Sequence, residues 1–345
     1  MFLCLSSGSS PRYRQDVLRA ISMPATSLLQ FRYALKYLGG SVQDRIKNNR
    51  VISEPALIAY VDQAEASREG QLIPCRVAEV ASVTVVGTTV SFRFRLKEFA
   101  YAENLNAFNS EAAALSANTI PRRNSEGKVT GCYCIELNAK PKTTVYSQDP
   151  SAFEGIVGQL AVHDDFSNEQ TFCFVSSITK KHEIVPFNAT AAGQLSPNSE
   201  YQLNVYQYHP TTTPANASLV VTSTTNFVRF TGYPEVRLDS RYDHKQLSFE
   251  TERSLDDHFG LLRIEVRQSS TDTLTIDLPI AVKGSLAIGI FYSLVLAFML
   301  ASPHIVSALS STTLSDSTRR LTIAIAGLTS IIAAFIAVFR VRKIL

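Results

Sequence analysis

The chain of 345 residues contains no tryptophan. An immunoglobulin-type core built around a buried tryptophan is therefore excluded, and any β-sandwich here must be filled by other side chains. The five cysteines, Cys4, Cys75, Cys132, Cys134 and Cys173, are odd in number and lack the spacing of a secreted disulfide framework. They read as reduced thiols of a cytosolic domain. Also missing are a Walker-type phosphate loop, a Gly-x-Ser-x-Gly elbow, a His-Glu-x-x-His helix and a Rossmann glycine fingerprint. No enzymatic activity and no cofactor are expected. Charge is absent from two long apolar runs, Gly284 to Pro303 and Leu321 to Phe339, which excludes a proton relay or a charge-coupled transporter within them.

Those two runs are the most informative feature present. Each is about long enough to cross a ~30 Å hydrocarbon layer as a helix rising about 1.5 Å per residue. A helix apolar on every side needs lipid or a large protein interior around it. Residues 283–345 are therefore expected to form a transmembrane helical hairpin with the lipid bilayer as its partner. Lys283, Arg340, Arg342 and Lys343 flank the side shared by the large domain and the tail, against Arg319 and Arg320 in the connecting loop. The positive-inside bias then favours a multi-pass protein of the inner (plasma) membrane, with its large N-terminal domain cytoplasmic. Met1 to Leu5 is too short for a signal-peptide core, which agrees. In that topology the sequons at Asn188 and Asn216 are chance matches. The cations around the apolar runs also explain the net charge of +3. The rest of the chain is slightly acidic, so a nucleotide site would have to be local.

The region before the membrane segments divides into residues 1–150, expected as an α+β domain, and 151–282, expected as a β-sandwich. The fold class is thus mainly β with a C-terminal helical pair. Phe2 to Leu5 reads as a strand and Pro11 to Ala20 as a helix burying Val17, Leu18 and Ile21, with Ser41 a candidate cap for a further short helix. From Val77 the period becomes two, and Val86-Gly87-Thr88 looks like a hairpin turn into Val90, Phe92, Phe94 and Leu96. Asn104 to Gly127 reads as a long loop or an interrupted helix. Alternation in Val129 to Leu137 places Cys132 and Cys134 on one strand face, as packed thiols rather than metal ligands. Strand-like runs then recur at Gly155 to Val162, Thr171 to Ile178, Tyr201 to Tyr208, Leu219 to Thr222, Phe227 to Phe230, Leu247 to Thr251, Leu261 to Val266 and Leu274 to Leu278. Leu195-Ser-Pro197-Asn-Ser-Glu-Tyr201 resembles the tyrosine-corner segment of fibronectin type III and related immunoglobulin-like domains, in which the tyrosine hydroxyl bonds back to the preceding loop.

Three constellations could carry chemistry. Arg93, Arg95 and Lys97 project from one face of a strand about 7 Å apart, a row suited to gripping phosphates. The alternative is a solvated edge or sheet face whose charges discourage aggregation. His163-Asp164-Asp165 and Asp256-Asp257-His258 could jointly hold metals for a hydrolase, although Asp and His are common in polar turns for backbone reasons; no metal site is expected. In the apolar runs, Ser285, Gly289, Ser293, Ala297 and Ala301 recur every four residues, and Ala326, Ser330, Ala333 and Ala337 every three or four. Such stripes let helices approach closely, within one hairpin, between subunits of a homo-oligomer, or around a pore.

A β-rich domain without enzyme motifs, followed by two membrane helices, resembles the membrane effectors of bacterial anti-phage systems. The closest organisation is the DNA-oligomer-gated channel effector of the Hailong system. That resemblance implies an oligomeric channel or membrane-disrupting effector in anti-phage defence. It also implies gating by a nucleotide or single-stranded oligonucleotide bound to the cytosolic domain, and a partner synthase that makes the ligand. A membrane-tethered β-sandwich binding module is the alternative.

Overall fold

Six consecutive buried residues, the signature of a strand covered on both faces, make β1 (Phe2–Ser7) the inner strand of the first sheet in this computed structural model. The structure describes residues 1–8, 10–62, 71–123, 129–166, 171–187, 192–210, 217–238, 240–254, 256–267, 273–284, 286–310 and 315–344. The other strands of the first part are β2 (Leu28–Ala34), β3 (Pro55–Asp62), β4 (Gln71–Val86), β5 (Thr89–Tyr101), β6 (Arg122–Arg123), β7 (Val129–Thr130), β8 (Cys134–Glu136) and β9 (Val145–Ser147). The sheet order is β2-β5-β4-β3-β1-β8, with β1 parallel to β3 and β9 paired to β5. β4 and β5 form the expected hairpin, Val86 opposite Thr89, with Gly87 at φ +58° in the turn.

The sheet curls until its ends approach. Leu38, shortly after β2, bridges to Cys134 in β8, and the Tyr33 hydroxyl of β2 donates to the Leu5 carbonyl of β1 at 3.2 Å. One face packs on α1 (Pro11–Ser22), which buries Val17, Leu18, Ala20 and Ile21 as its spacing predicted. The other face is covered at β1, β3 and β4 by Phe108 and Ala112 of α3 (Leu105–Leu115). α3 is the interrupted-helix alternative for the stretch after Asn104, whose side-chain oxygen caps it by accepting from the Ala107 N–H at 3.0 Å. α2 (Gly40–Lys47) takes Gly39, not Ser41, as its N-cap residue.

Gly155 to Val162, expected as a strand, is instead part of the helix α4 (Pro150–Leu160). Ala152, Phe153, Ile156, Val157 and Leu160 are its buried residues, a 3.6-residue period, and Asp149 caps its first turn by accepting from the Ser151 N–H at 3.0 Å. Gly155 and Gly158 hid that period. Gly155 is required by packing, since a Cβ there would lie 2.7 Å from the Tyr101 ring.

After α4 come β10 (Phe172–Lys180), β11 (Glu183–Ile184), β12 (Gly193–Leu195), β13 (Ser199–Tyr208), β14 (Ser218–Ser223), β15 (Val228–Phe230), β16 (Glu235–Arg237), β17 (Tyr242–Thr251), β18 (His258–Arg267) and β19 (Leu274–Val282). They form two five-stranded sheets, β11-β10-β13-β17-β15 and β12-β19-β18-β14-β16. Inward residues of both, such as Leu203 and Phe249 from one and Ile264 and Ile276 from the other, join a single apolar core, a sandwich-like arrangement. The tyrosine corner forms as its sequence suggested. The Ser196 N–H donates to the Tyr201 hydroxyl oxygen at 2.6 Å, and the buried Tyr201 ring stacks on Phe249 at 5.4 Å.

The two parts are fused through aromatic side chains. Phe174 of β10 meets Phe99 of β5 at 4.8 Å and Phe153 of α4 at 5.6 Å between ring centroids. Arg76 is buried beside them, its guanidinium 4.1 Å from the Phe99 centroid and its Nε donating to the Lys97 carbonyl at 2.8 Å. Burial lowers its pKa to about 9.

Beyond β19 lie α5 (Leu286–Ser310) and α6 (Asp316–Ile344), which pack along each other. One stretch, Ile290–Ser307 of α5, is long and apolar enough to cross a membrane. The expected pair of membrane-crossing helices is thus met by α5 alone among the described residues. In α6 the Thr322 and Thr329 hydroxyls bond back to the Thr318 and Ile325 carbonyls at 2.9 Å.

Candidate functional site

Ligands of α/β sheets collect outside the carboxyl ends of parallel strands, where loops and a helix N-terminus converge. Here those ends are Ser7 of β1 and Asp62 of β3. From β1 the chain passes through Gly8 into α1, whose N-cap residue Ser10 makes no side-chain cap bond. The Ser6 hydroxyl donates to the Tyr13 carbonyl at 2.8 Å, tying the start of α1 to the end of β1.

The loop after α4 folds over the same ends. His163 Nδ1 lies 2.9 Å from the Asp62 carboxylate, the Tyr60 hydroxyl donates to the Asp165 carboxylate, and the Arg14 guanidinium donates to the Asp165 carbonyl at 3.0 Å. Burial, then the Asp165 bond, raises the Tyr60 pKa well above the usual phenol range. A Cβ at Gly8 would strike the Asp165 carboxylate, so a larger residue there would push Asp165 off Tyr60. His163 and Asp165, adjacent in sequence to a polar turn, therefore hold the chain leading to β10 onto the carboxyl ends of β1 and β3. The second triplet has other partners. His258 Nε2 lies 2.6 Å from the Ser254 hydroxyl, its ring stacks on Phe227 at 3.6 Å, and Asp257 accepts from the Gly284 N–H at 2.8 Å. Among the described residues no group of three or more metal-ligating side chains converges.

Beside the clamp, a cavity of about 150 Å³ opens between the end of β1, α1, β2 and the segment before β8. Phe31, Tyr33, Tyr37 and Tyr133 line it, with Asp16 from α1 and Arg32 from β2. Tyr37 and Tyr133 meet edge to face at 5.5 Å. Asp16 is only 9% exposed, and burial pushes its carboxyl up to about 6 against the pull of Arg19, Arg12 and Arg32. Sequence reasoning missed this group. An aspartate on an amphipathic helix ordinarily faces water, and the nearest signal was its position one residue before the apolar Val17-Leu18 pair.

Arg93 and Lys97 are exposed and Arg95 is half-buried, all on one face of β5 as the alternation predicted. The strand is not an edge, however, because β5 lies between β2 and β4. Lys97 is paired with Glu79 at 2.8 Å, while Arg93 stands opposite Gln30 of β2 and Ser82 of β4. Arg32 stands opposite Ser91 and so shares that face diagonally with Arg93, about 7–8 Å away. The row thus continues across β2 to the cavity.

Of the cysteine pair, Cys134 lies in β8 opposite Cys4 of β1, their sulfurs 3.7 Å apart, and burial raises the Cys4 thiol pKa well above its usual value. Cys132 precedes β8 and packs with the α3 side of the sheet. The expected shared face fails because β8 is only three residues long and the Tyr133 N–H is diverted to the Tyr37 carbonyl at 2.8 Å.

Of the small-residue stripes, Ser293, Ala297 and Ala301 of α5 and Ser330 of α6 are buried, whereas Ala326 is half-buried and Ala333 exposed. Ser285, and the surroundings of the Gly289 and Ala337 positions, lie outside the described residues. Large apolar side chains point outward, among them Phe291, Phe298 and Met299 of α5 and Leu328 and Ile332 of α6.

No protein-family model matches the chain, and no curated protein matches it in sequence. Among solved structures it is similar to the D0-D1 domain of intimin at 8% identity, over 76% of this chain and 94% of that one, with a TM-score of 0.24. It is also similar to a Bacteroides ovatus GH5 xyloglucanase in complex with a XXXG heptasaccharide at 6% identity and a TM-score of 0.19, over 32% of this chain and only 19% of the xyloglucanase. Likenesses this slight establish neither fold nor function.

Proposed function

We propose that the protein is an oligomeric membrane channel or membrane-disrupting effector of anti-phage defence, gated by a nucleotide or oligonucleotide bound to its large domain. In this reading α5 and α6 both span the inner membrane, the large domain is cytoplasmic, and a partner synthase supplies the ligand. The observation that carries it is the junction between domain and helix. β19 ends at Val282, and Lys283 and Gly284, which lead toward α5 at Leu286, are bonded to the domain, Lys283 N–H to the Leu195 carbonyl at 2.9 Å and Gly284 N–H to Asp257. Through these bonds a movement of the second sheet is passed toward α5. The outward apolar and inward small residues of the helical pair support a lipid surrounding.

Burial of Ser293, Ala297, Ala301 and Ser330 within one chain favours the second reading, a membrane-tethered binding module in which the stripes merely seal the pair. Ion flux from vesicles reconstituted with the full chain separates the two, with cyclic dinucleotides, cyclic trinucleotides and short deoxyoligonucleotides as probes. A gated channel shows probe-dependent flux that Ser293→Leu abolishes, because a branched side chain cannot occupy a close helix contact. Wild-type protein silent under every probe leaves the tethered module.

A further inference from the structure

The cavity beside β1 has the walls of a site for a flat ring and one group that nothing among the described residues satisfies. A lining of four aromatic residues, Phe31, Tyr33, Tyr37 and Tyr133, favours a planar guest. Asp16, nine-tenths buried, meets no hydrogen-bond donor among the described residues. Buried carboxylates are normally paired, and a lone one weakens the fold that keeps it. An ionised carboxylate only accepts, through two oxygens, so the partner this site lacks is a pair of adjacent donors. An ammonium ion is the other guest suited to an aromatic box with a carboxylate, but Arg12, Arg19 and Arg32 surround Asp16 and repel it. The same arginines favour a ligand whose outer part is anionic, and Arg32 leads from the cavity to Arg93 on the open sheet face.

We propose that the cavity seats the guanine ring of a nucleotide, Asp16 accepting from the ring N–H and the exocyclic amine while the phosphates run out over Arg32 toward Arg93 and Arg95. Guanine alone among the common bases presents two adjacent donors on one edge. Adenine and cytosine place their amine beside a ring lone pair, and uracil holds one N–H between two carbonyls. A cavity of about 150 Å³ is the size that accepts a single six-membered ring. The base therefore enters by its donor edge and leaves the five-membered ring and sugar at the mouth. This assignment rests on the nucleotide-controlled reading above, and its test is of binding rather than flux.

Calorimetric titration of the full chain in detergent with GMP, IMP and AMP decides it. GMP binds, IMP, which lacks the exocyclic amine, binds about 10- to 100-fold more weakly, as expected for one lost hydrogen bond to a charged group, and AMP weaker still. Asp16→Asn melts no lower than wild type yet loses the preference for GMP over AMP. Arg32→Gln weakens GMP but leaves guanosine unchanged. Equal binding of the three nucleotides, no GMP binding by folded wild type, or wild-type GMP affinity in Asp16→Asn overturns the assignment. Probe-gated flux with no GMP binding removes guanine from the cavity and leaves the channel standing; Asp16-dependent GMP binding with no flux under any probe does the reverse.

Discussion

The curled sheet around α1 and the sandwich that follows it differ in the kind of polar group they bury, charged in the first and mostly hydroxyl or amide in the second. In the sandwich the Tyr201 hydroxyl is tied to Ser196 and the Thr251 hydroxyl donates to the Ser196 carbonyl at 2.6 Å. In the first unit, Asp16 is buried without a donor among the described residues, and Arg76 is buried with Nη1 unsatisfied. Gln207 of the sandwich also leaves its Oε1 without a partner, but among the described residues it is the first unit that buries a carboxylate and a guanidinium. Where local rules of polar satisfaction are broken, the lost stability is retained for some other reason, and ligand sites are the usual one. That contrast directs the search for a ligand site to the first unit.

The largest test of the contrast asks whether the two units are separate at all. Phe174→Ala removes the ring shared by Phe99, Phe153 and Arg76 and is expected to cost about 3–5 kcal/mol. Both units should then unfold together at lower denaturant, whereas two transitions would make them independent. Next comes Asp16. Its folded carboxyl, raised from 3.8 to about 6, binds its proton more tightly than the unfolded chain does. The stability contributed by the neutral form is fully present below about pH 4 and is lost as pH rises through about 6. Asp16→Asn should therefore gain up to about 3 kcal/mol at pH 8 and nearly nothing at pH 3.5, by urea melts at the two values. Tyr201→Phe, in the sandwich, should lose about 1–2 kcal/mol at either pH through the orphaned Ser196 N–H. Smallest in stability is the double charge reversal Arg93→Glu and Arg95→Glu, expected to change melting by less than about 0.5 kcal/mol. Its effect should appear instead as weaker nucleotide binding with a flatter salt dependence, and unchanged binding would make the row a solvated sheet face.

The parts that were legible in the sequence are those whose signal is local. The β4–β5 hairpin announces itself by period and by Gly87, α1 by Pro11 and the Val17, Leu18, Ile21 spacing, and the tyrosine corner by seven consecutive residues. α4 was lost because glycines dilute its apolar stripe and a short apolar window fits either period. The cavity was not legible at all. It exists only because the sheet curls and brings Tyr33 and Tyr37 of one end against Leu5 and Tyr133 of the other, contacts separated by 28 residues and more. The row at Arg93 was visible, but its continuation through Arg32 depends on the β2–β5 register, which no spacing within either strand encodes.

α1 supplies Asp16 and Tyr13 to the cavity and also packs on β19, the strand that runs into α5. Occupant and bilayer would then act on a common element, and thermodynamic reciprocity follows. By whatever factor a bound ring shifts α5 between two settings in the membrane, a lipid that prefers one setting shifts the affinity for the ring by the same factor. Bilayer thickness would then act as an effector of nucleotide affinity, and affinities measured in short-chain and long-chain lipid should differ although neither lipid touches the cavity.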